Sequence, residues 1–195
     1  MEFTDRQIEI MEAATARIDQ HGIQNLTIKN LAADINLSEP ALYRHFKSKN
    51  EILLSLLNYF FLEMKTRIST ISVDANTTAP DELRAIFSSQ LKTFSDKPAI
   101  VSVIFAESIF HFDKSLSDKV AEIMDLMQGV VKTTIQKGQD MGQFGKLINA
   151  STITTIITGG MRMAVLKWKI SSNKSNLEKD GMIVLNGILK MIEKQ

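Results

Sequence analysis

Residues 27–49 bring together Thr27, Ser38, Glu39, Tyr43, Arg44, His45 and Lys49, with Pro40 and Ala41 between them. Hydroxyls, a guanidinium, an imidazole and an ammonium in so short a stretch are donors for phosphate oxygens and base edges. Nothing comparable supports catalysis. The 195 residues include no cysteine, which removes thiol nucleophiles, disulfides and cysteine-ligated zinc. His21, His45 and His111 lie far apart without metal-ligand spacing, and no Gly-rich phosphate loop or Gly-x-Ser-x-Gly elbow occurs. We expect no catalytic residue, no metal and no cofactor.

The elements that must position these side chains are short helices. Ile28, Leu31, Ala32 and Ile35 fall at i, i+3, i+4 and i+7, the apolar stripe of a first helix that Thr27 would cap. Asn36-Leu37 makes a turn, with Leu37 as the plug between helices. Ser38 caps a second helix in which Ala41, Leu42 and Phe46 face inward and Tyr43, Arg44 and His45 project outward. Ser48-Lys-Asn-Glu51 reads as a capping box opening a longer helix. The pattern is a helix-turn-helix, whose main use is to lay its second helix in the DNA major groove. Base readout would then fall to Ser38, Glu39, Pro40, Ala41 and Arg44. Arg44 suits guanine, Glu39 a cytosine amino group, and Pro40 and Ala41 a thymine methyl. Glu39 has a second explanation, since an acid in a helix's first turn is favourable anyway.

The blocks Ala13-Ala14 through His21-Gly22, Leu26-Thr27-Ile28, Leu31-Ala32 and Ser38-Glu-Pro-Ala-Leu-Tyr-Arg-His-Phe-Lys-Ser-Lys49 resemble the DNA-binding domain of TetR-family transcriptional regulators. The resemblance covers the first quarter to third of the chain. It implies phosphate contacts from Thr27, Tyr43, His45 and Lys49. Each has a plainer alternative: a cap for Thr27, a half-buried core aromatic for Tyr43, a solvated ammonium for Lys49. Some division-inhibiting nucleoid-occlusion proteins carry a similar Ser-Glu-x-Ala-Leu-Tyr-Arg-His-Phe block, which keeps a ligand-independent adaptor role open. A helical small-molecule binder without DNA function is the remaining alternative.

The overall formal charge is only +1, so a basic surface must be local. Residues 27–50 hold four basic against two acidic side chains, while residues 1–26 hold two basic against five acidic. The small excess sits on the motif itself. No sustained period-2 alternation suggests a strand. The expected fold is therefore all-α, with a helix-turn-helix domain over 1–48 and a helical ligand-binding and dimerisation domain over 49–195, joined by the helix that follows Ser48. Helix 1 should bury Ile8, Met11, Ala14, Thr15 and Ile18. A linker is expected over 72–79, a helix from Pro80, another from Pro98 to about His111, and one from Ser115 ended by Gly138, Gly142 and Gly145. Asn149 should cap the next helix, and the last should start at Leu177. The N-terminus lacks the pattern of a signal peptide, and a cytoplasmic location is expected.

Residues 147–166 hold one charge, Arg162, yet their threonines make them a poor membrane span. Together with residues 177–192 they present more apolar surface than one small monomer needs. The resemblance implies pairing with a second copy, and Gly159, Gly160, Val184 and Ile188 are the expected contacts. Phe87, Leu91, Phe94, Phe105, Ile109, Phe112, Met124 and Met127, with Glu107 as a polar anchor, are the expected lining of a site for a small, mostly hydrophobic effector. The expected partners are thus double-stranded operator DNA, a second copy and that effector, with no membrane.

Overall fold

The computed structural model describes residues 3–71, 77–105 and 113–194. Among these the chain forms nine α-helices and one 3₁₀ turn: α1 (Asp5–His21), the turn (Ile23–Asn25), α2 (Ile28–Asp34), α3 (Glu39–Tyr43), α4 (Lys49–Ile71), α5 (Ala79–Asp96), α6 (Pro98–Ile104), α7 (Lys114–Asp140), α8 (Ala150–Ile170) and α9 (Leu177–Ile192). The all-α expectation is borne out. The only β-type pairing among the described residues is an isolated bridge between Phe144 and Glu193.

Local chemistry sets the helix starts. Thr4 and Gln7 form a reciprocal capping box on α1. The side chains of Thr27, Ser38, Asn149 and Asn176 accept a main-chain N–H three residues on, capping α2, α3, α8 and α9. Asn36 takes the turn between α2 and α3 in the left-handed region, at φ 53°, which asparagine tolerates better than most residues. Thr78 caps α5 by accepting from the Asp81 N–H.

The chain divides into two compact units, Met1–Leu62 with Lys97–Glu122, and Glu63–Asp96 with Ile123–Gln195. In the first, Ile10, Met11, Ala14 and Ile18 of α1 are buried along with Leu26, Leu31, Leu42, Phe46, Ile52 and Leu53. Ile8 departs from the expected stripe: it is 37% exposed, because Ile10 and not Ile8 completes the buried face. α6 packs on α1 and on the 3₁₀ turn within this unit. It ends at Ile104, short of the expected His111; Glu107, Ile109, His111 and Phe112 lie outside the described residues.

In the second unit α9 packs against α5 and α8. Gly181 permits this closeness: a Cβ there would come within 2.6 Å of the Leu91 side chain. Gly138 does not end α7, as the sequence suggested. The helix runs on to Asp140, and Gly138 leaves room for the Phe144 ring, which a Cβ would meet at 2.4 Å. Gln139, itself buried, donates to the carbonyls of Gly145 and Ile148 and fixes the loop before α8. Glu82 is buried too, with Thr134 donating to it at 3.2 Å and Lys137 at 3.3 Å.

Candidate DNA-recognition site

The candidate recognition surface is built on α3, which is only five residues long. So short a helix cannot hold itself in place. Leu42 and Phe46 anchor it, both essentially removed from solvent beside buried Leu31 and Ala32 of α2. Anchoring that side turns Ser38, Glu39, Pro40, Tyr43 and Arg44 outward, all exposed, with Ala41 and His45 half-buried. Tyr43 is 49% exposed, so its ring is not a core aromatic. Thr27 is exposed at the start of α2, where its hydroxyl accepts the Asn30 N–H at 3.1 Å.

Hydrogen bonds brace the end of this short helix. Gln7 of α1 donates through Nε2 to the His45 carbonyl at 3.4 Å. The Ser48 hydroxyl accepts the Glu51 N–H at 3.2 Å, the first half of the expected capping box. The second half differs: the Glu51 carboxylate takes the N–H of Lys47, one residue upstream of the cap. That places the carboxylate across the α3–α4 junction itself. Lys49 Nζ donates to the Ile23 carbonyl at 3.1 Å, and burial holds its pKa below the usual lysine range. Asn50 donates to Asp113 at 2.7 Å, and Asp113 also accepts from Ser115 and Leu116 at the start of α7. These bonds hold the Asp113 carboxyl below the ordinary aspartate range, Ser115 contributing most.

The electrostatics of the face are more basic than the sequence count suggests. Asp34 was one of two acids in the motif, but Arg17 of α1 grips it through Nε at 2.5 Å and Nη2 at 2.7 Å. The pair lowers the Asp34 pKa and raises that of Arg17, chiefly by this hydrogen bonding. Lys29 and Lys47, which sequence reasoning counted as charge without assigning a contact, are exposed on the same motif. Their signal was only their position beside Thr27 and His45.

The other expected sites are placed less uniformly. Phe87 and Leu91 are buried, Phe94, Phe105 and Met127 half-buried, and Glu107, Ile109 and Phe112 undescribed. Met124 departs from the expected lining, being 40% exposed. Phe105 belongs to the first compact unit and the remaining described members to the second. On α8, a Cβ at Gly160 would meet Val184 and Ile188 of the same chain at 3.2 Å, and Ile188 is buried. Gly160 and Ile188 therefore serve the packing of α8 on α9 within the chain. Gly159 faces open space, and Val184 stays partly exposed.

Among the described residues no helix is long and apolar enough to cross a membrane, and no cluster of His, Cys, Asp and Glu could hold a metal ion. Residues 10–56 match the family model described as bacterial regulatory proteins, tetR family, and residues 57–191 match that of the YsiA-like protein, C-terminal region. Nucleoid occlusion factor SlmA of Pectobacterium carotovorum subsp. carotovorum is 26% identical over 134 residues, 68% of this chain and 67% of that protein. SlmA of Photobacterium profundum is 22% identical over 172 residues, covering 88% and 87%. Among solved structures, the fatty acid degradation regulator FadR from Bacillus halodurans superposes with a TM-score of 0.81 at 18% identity, over 97% of each chain. The ketosteroid transcriptional regulator KstR2 of Mycobacterium tuberculosis gives 0.81 at 20% identity, over 100% of this chain and 98% of that one. At such identities the structural matches speak for the fold. With the two family models spanning nearly the whole chain, it belongs to the TetR family of bacterial regulatory proteins and is a DNA-binding transcriptional regulator.

Proposed function

We propose that the chain is an effector-responsive repressor that grips a palindromic operator as a homodimer in the cytoplasm. Residues 1–48, joined by Lys49 at the start of α4, carry the DNA contacts, and the rest of residues 49–195 the sensing and pairing surfaces. The observation that carries this reading is the exposed face of α3 on a braced support, with Tyr43 and Arg44 outward and Leu42 and Phe46 buried. Thr27, Tyr43, His45 and Lys49 contact phosphates; Ser38, Glu39, Pro40, Ala41 and Arg44 read bases.

Pairing is supported by a second apolar stripe on α8. Ile156, Met163, Leu166 and Ile170 are exposed, and Gly159 stands open between the first two. Their spacing of three and four residues is that of a helix–helix seam. Ile183, Gly187 and Met191 continue an apolar, outward surface on α9. A second copy covers both, and the linked heads span half-sites about 34–36 Å apart.

An effector releases DNA only through a higher affinity for the released state. Moving from about 1:99 to 99:1 needs about 5.5 kcal/mol of preference. A hydrophobic effector is favoured by the buried Phe87 and half-buried Phe94 and Met127, and by likeness of fold to FadR from Bacillus subtilis, solved in complex with stearoyl-CoA. The SlmA relatives favour a second reading, a DNA-bound dimer acting without an effector.

Footprinting of the purified protein on the DNA upstream of its own reading frame tests the proposal. A protected palindrome is expected, and Arg44→Ala should cost about 1–3 kcal/mol and relax one base position per half-site. Uniform protection without a palindrome, or an Arg44→Ala variant with unchanged base preference, would count against it.

A further inference from the structure

In the second compact unit a guanidinium meets a neutral amide. Arg67 of α4 is half-buried and donates through Nη2 to Gln90 Oε1 of α5 at 2.8 Å. Gln90 is 6% exposed. A guanidinium has five N–H donors and a glutamine amide two, so the pair is rich in donors and short of acceptors. Desolvation is the main influence on Arg67 and lowers its pKa, while the charge of Glu63, one helical turn away on α4, opposes the shift. A charge withdrawn from water normally answers to a paired acceptor, and an amide carbonyl repays little of that cost. Apart from Glu63, the neighbouring positions on the two helices include apolar ones: Met64 is buried one turn before Arg67, and Gln90 lies one turn from Phe87 and Phe94 on α5.

We propose that Arg67 and Gln90 form the head-group subsite of the effector, and that the effector is an apolar organic anion. This deepens the effector-responsive reading above and rests on it. A carboxylate, sulfonate or phosphate oxygen takes the free donors of Arg67 and the Gln90 amide, and the apolar body lies along Phe87 and Phe94. Bonds in which the guanidinium meets an opposite charge, which an amide carbonyl does not supply, give the selectivity for an anion.

Two dyes of one skeleton test the assignment: 8-anilino-1-naphthalenesulfonate, an anion, and N-phenyl-1-naphthylamine, its uncharged counterpart. Fluorescence titration of the full chain should show saturable binding of both, the sulfonate about tenfold or more tighter. Arg67→Met should remove that preference while leaving the neutral dye's affinity unchanged, and Glu63→Gln should increase it. Circular dichroism of each variant checks that it is folded, and Arg67→Lys, which keeps the charge, should retain part of the preference if Arg67→Met fails to fold. Equal affinity for the two dyes in the wild type, or a preference that survives Arg67→Met, overturns the assignment. Operator release is read separately in the same samples. If the neutral dye releases DNA as well as the anion does, the effector reading stands and the anionic head is wrong. If the dyes bind with the expected preference and operator is retained throughout, the subsite stands as a binding site and the effector reading falls.

Discussion

The ammonium of Lys49, the first residue of α4, donates to the main-chain carbonyl of Ile23 at 3.1 Å and so ties the helix after the recognition element to the turn after α1. The tie uses one of the three ammonium donors and leaves the others for a phosphate oxygen. Lys49 thus orients the motif, and the phosphate contact proposed for it would use the remaining donors.

Lys49→Met keeps most of the apolar stem and removes both roles. Its operator affinity should fall, and the slope of log affinity against log salt should flatten by about 0.9 per protomer. Salt titration of binding measures this directly. A melting temperature that drops while the slope stays at the wild-type value would make Lys49 a brace and not a phosphate contact.

The Arg17–Asp34 pair makes stability depend on pH. Asp34 has its folded pKa lowered, so the pair's contribution is fully present above the unfolded aspartate value of about 3.9. It is lost as pH falls through the still lower folded value. Urea denaturation from pH 6 down to pH 3 should show wild type losing more stability than Asp34→Asn. The pair is partly open to solvent, so screening by salt should narrow the gap. Parallel pH profiles for the two proteins would remove the pair from the stability of the motif.

The two sides of α8 marked by Gly159 and Gly160 should respond in opposite ways. Gly159 faces open space, so a charged change on its stripe, such as Met163→Glu, should leave the fold intact and yield monomer with little operator affinity. Gly160→Leu should instead destabilise the chain itself, because the added side chain meets Val184 and Ile188. Light scattering and thermal melts separate the outcomes. A Met163→Glu protein that remains dimeric places the pairing surface elsewhere.

Gly138→Ala sets helix propensity against packing. Propensity favours alanine in a helix interior by about 1 kcal/mol. The new Cβ would lie 2.4 Å from the Phe144 ring and 2.8 Å from the Ala79 Cβ, and overpacking of that kind costs about 1–3 kcal/mol. Net destabilisation is expected in urea melts. A rise in stability would mean that the Phe144 loop moves aside at little cost.

Much of the fold and of the exposed face of the candidate site was legible in the sequence because the interactions that set them are local. A cap joins residues three apart, as Thr27 with Asn30 and Ser38 with Ala41, so helix starts can be read directly. The stripe of α2 and the outward turn of Tyr43 and Arg44 follow from helical spacing about Leu42 and Phe46. The partners of Lys49 and Asp34 could not be read this way, since Ile23 stands 26 residues away and Arg17 stands 17 away. Nor could the use of each glycine, because adjacent glycines on a helix point about 100° apart. Gly160 packs on α9 and Gly159 on none of the described residues, a difference set by where α9 lies. Hydrophobic pattern shows that α8 is apolar on more than one side, and only tertiary packing decides which side the chain itself covers.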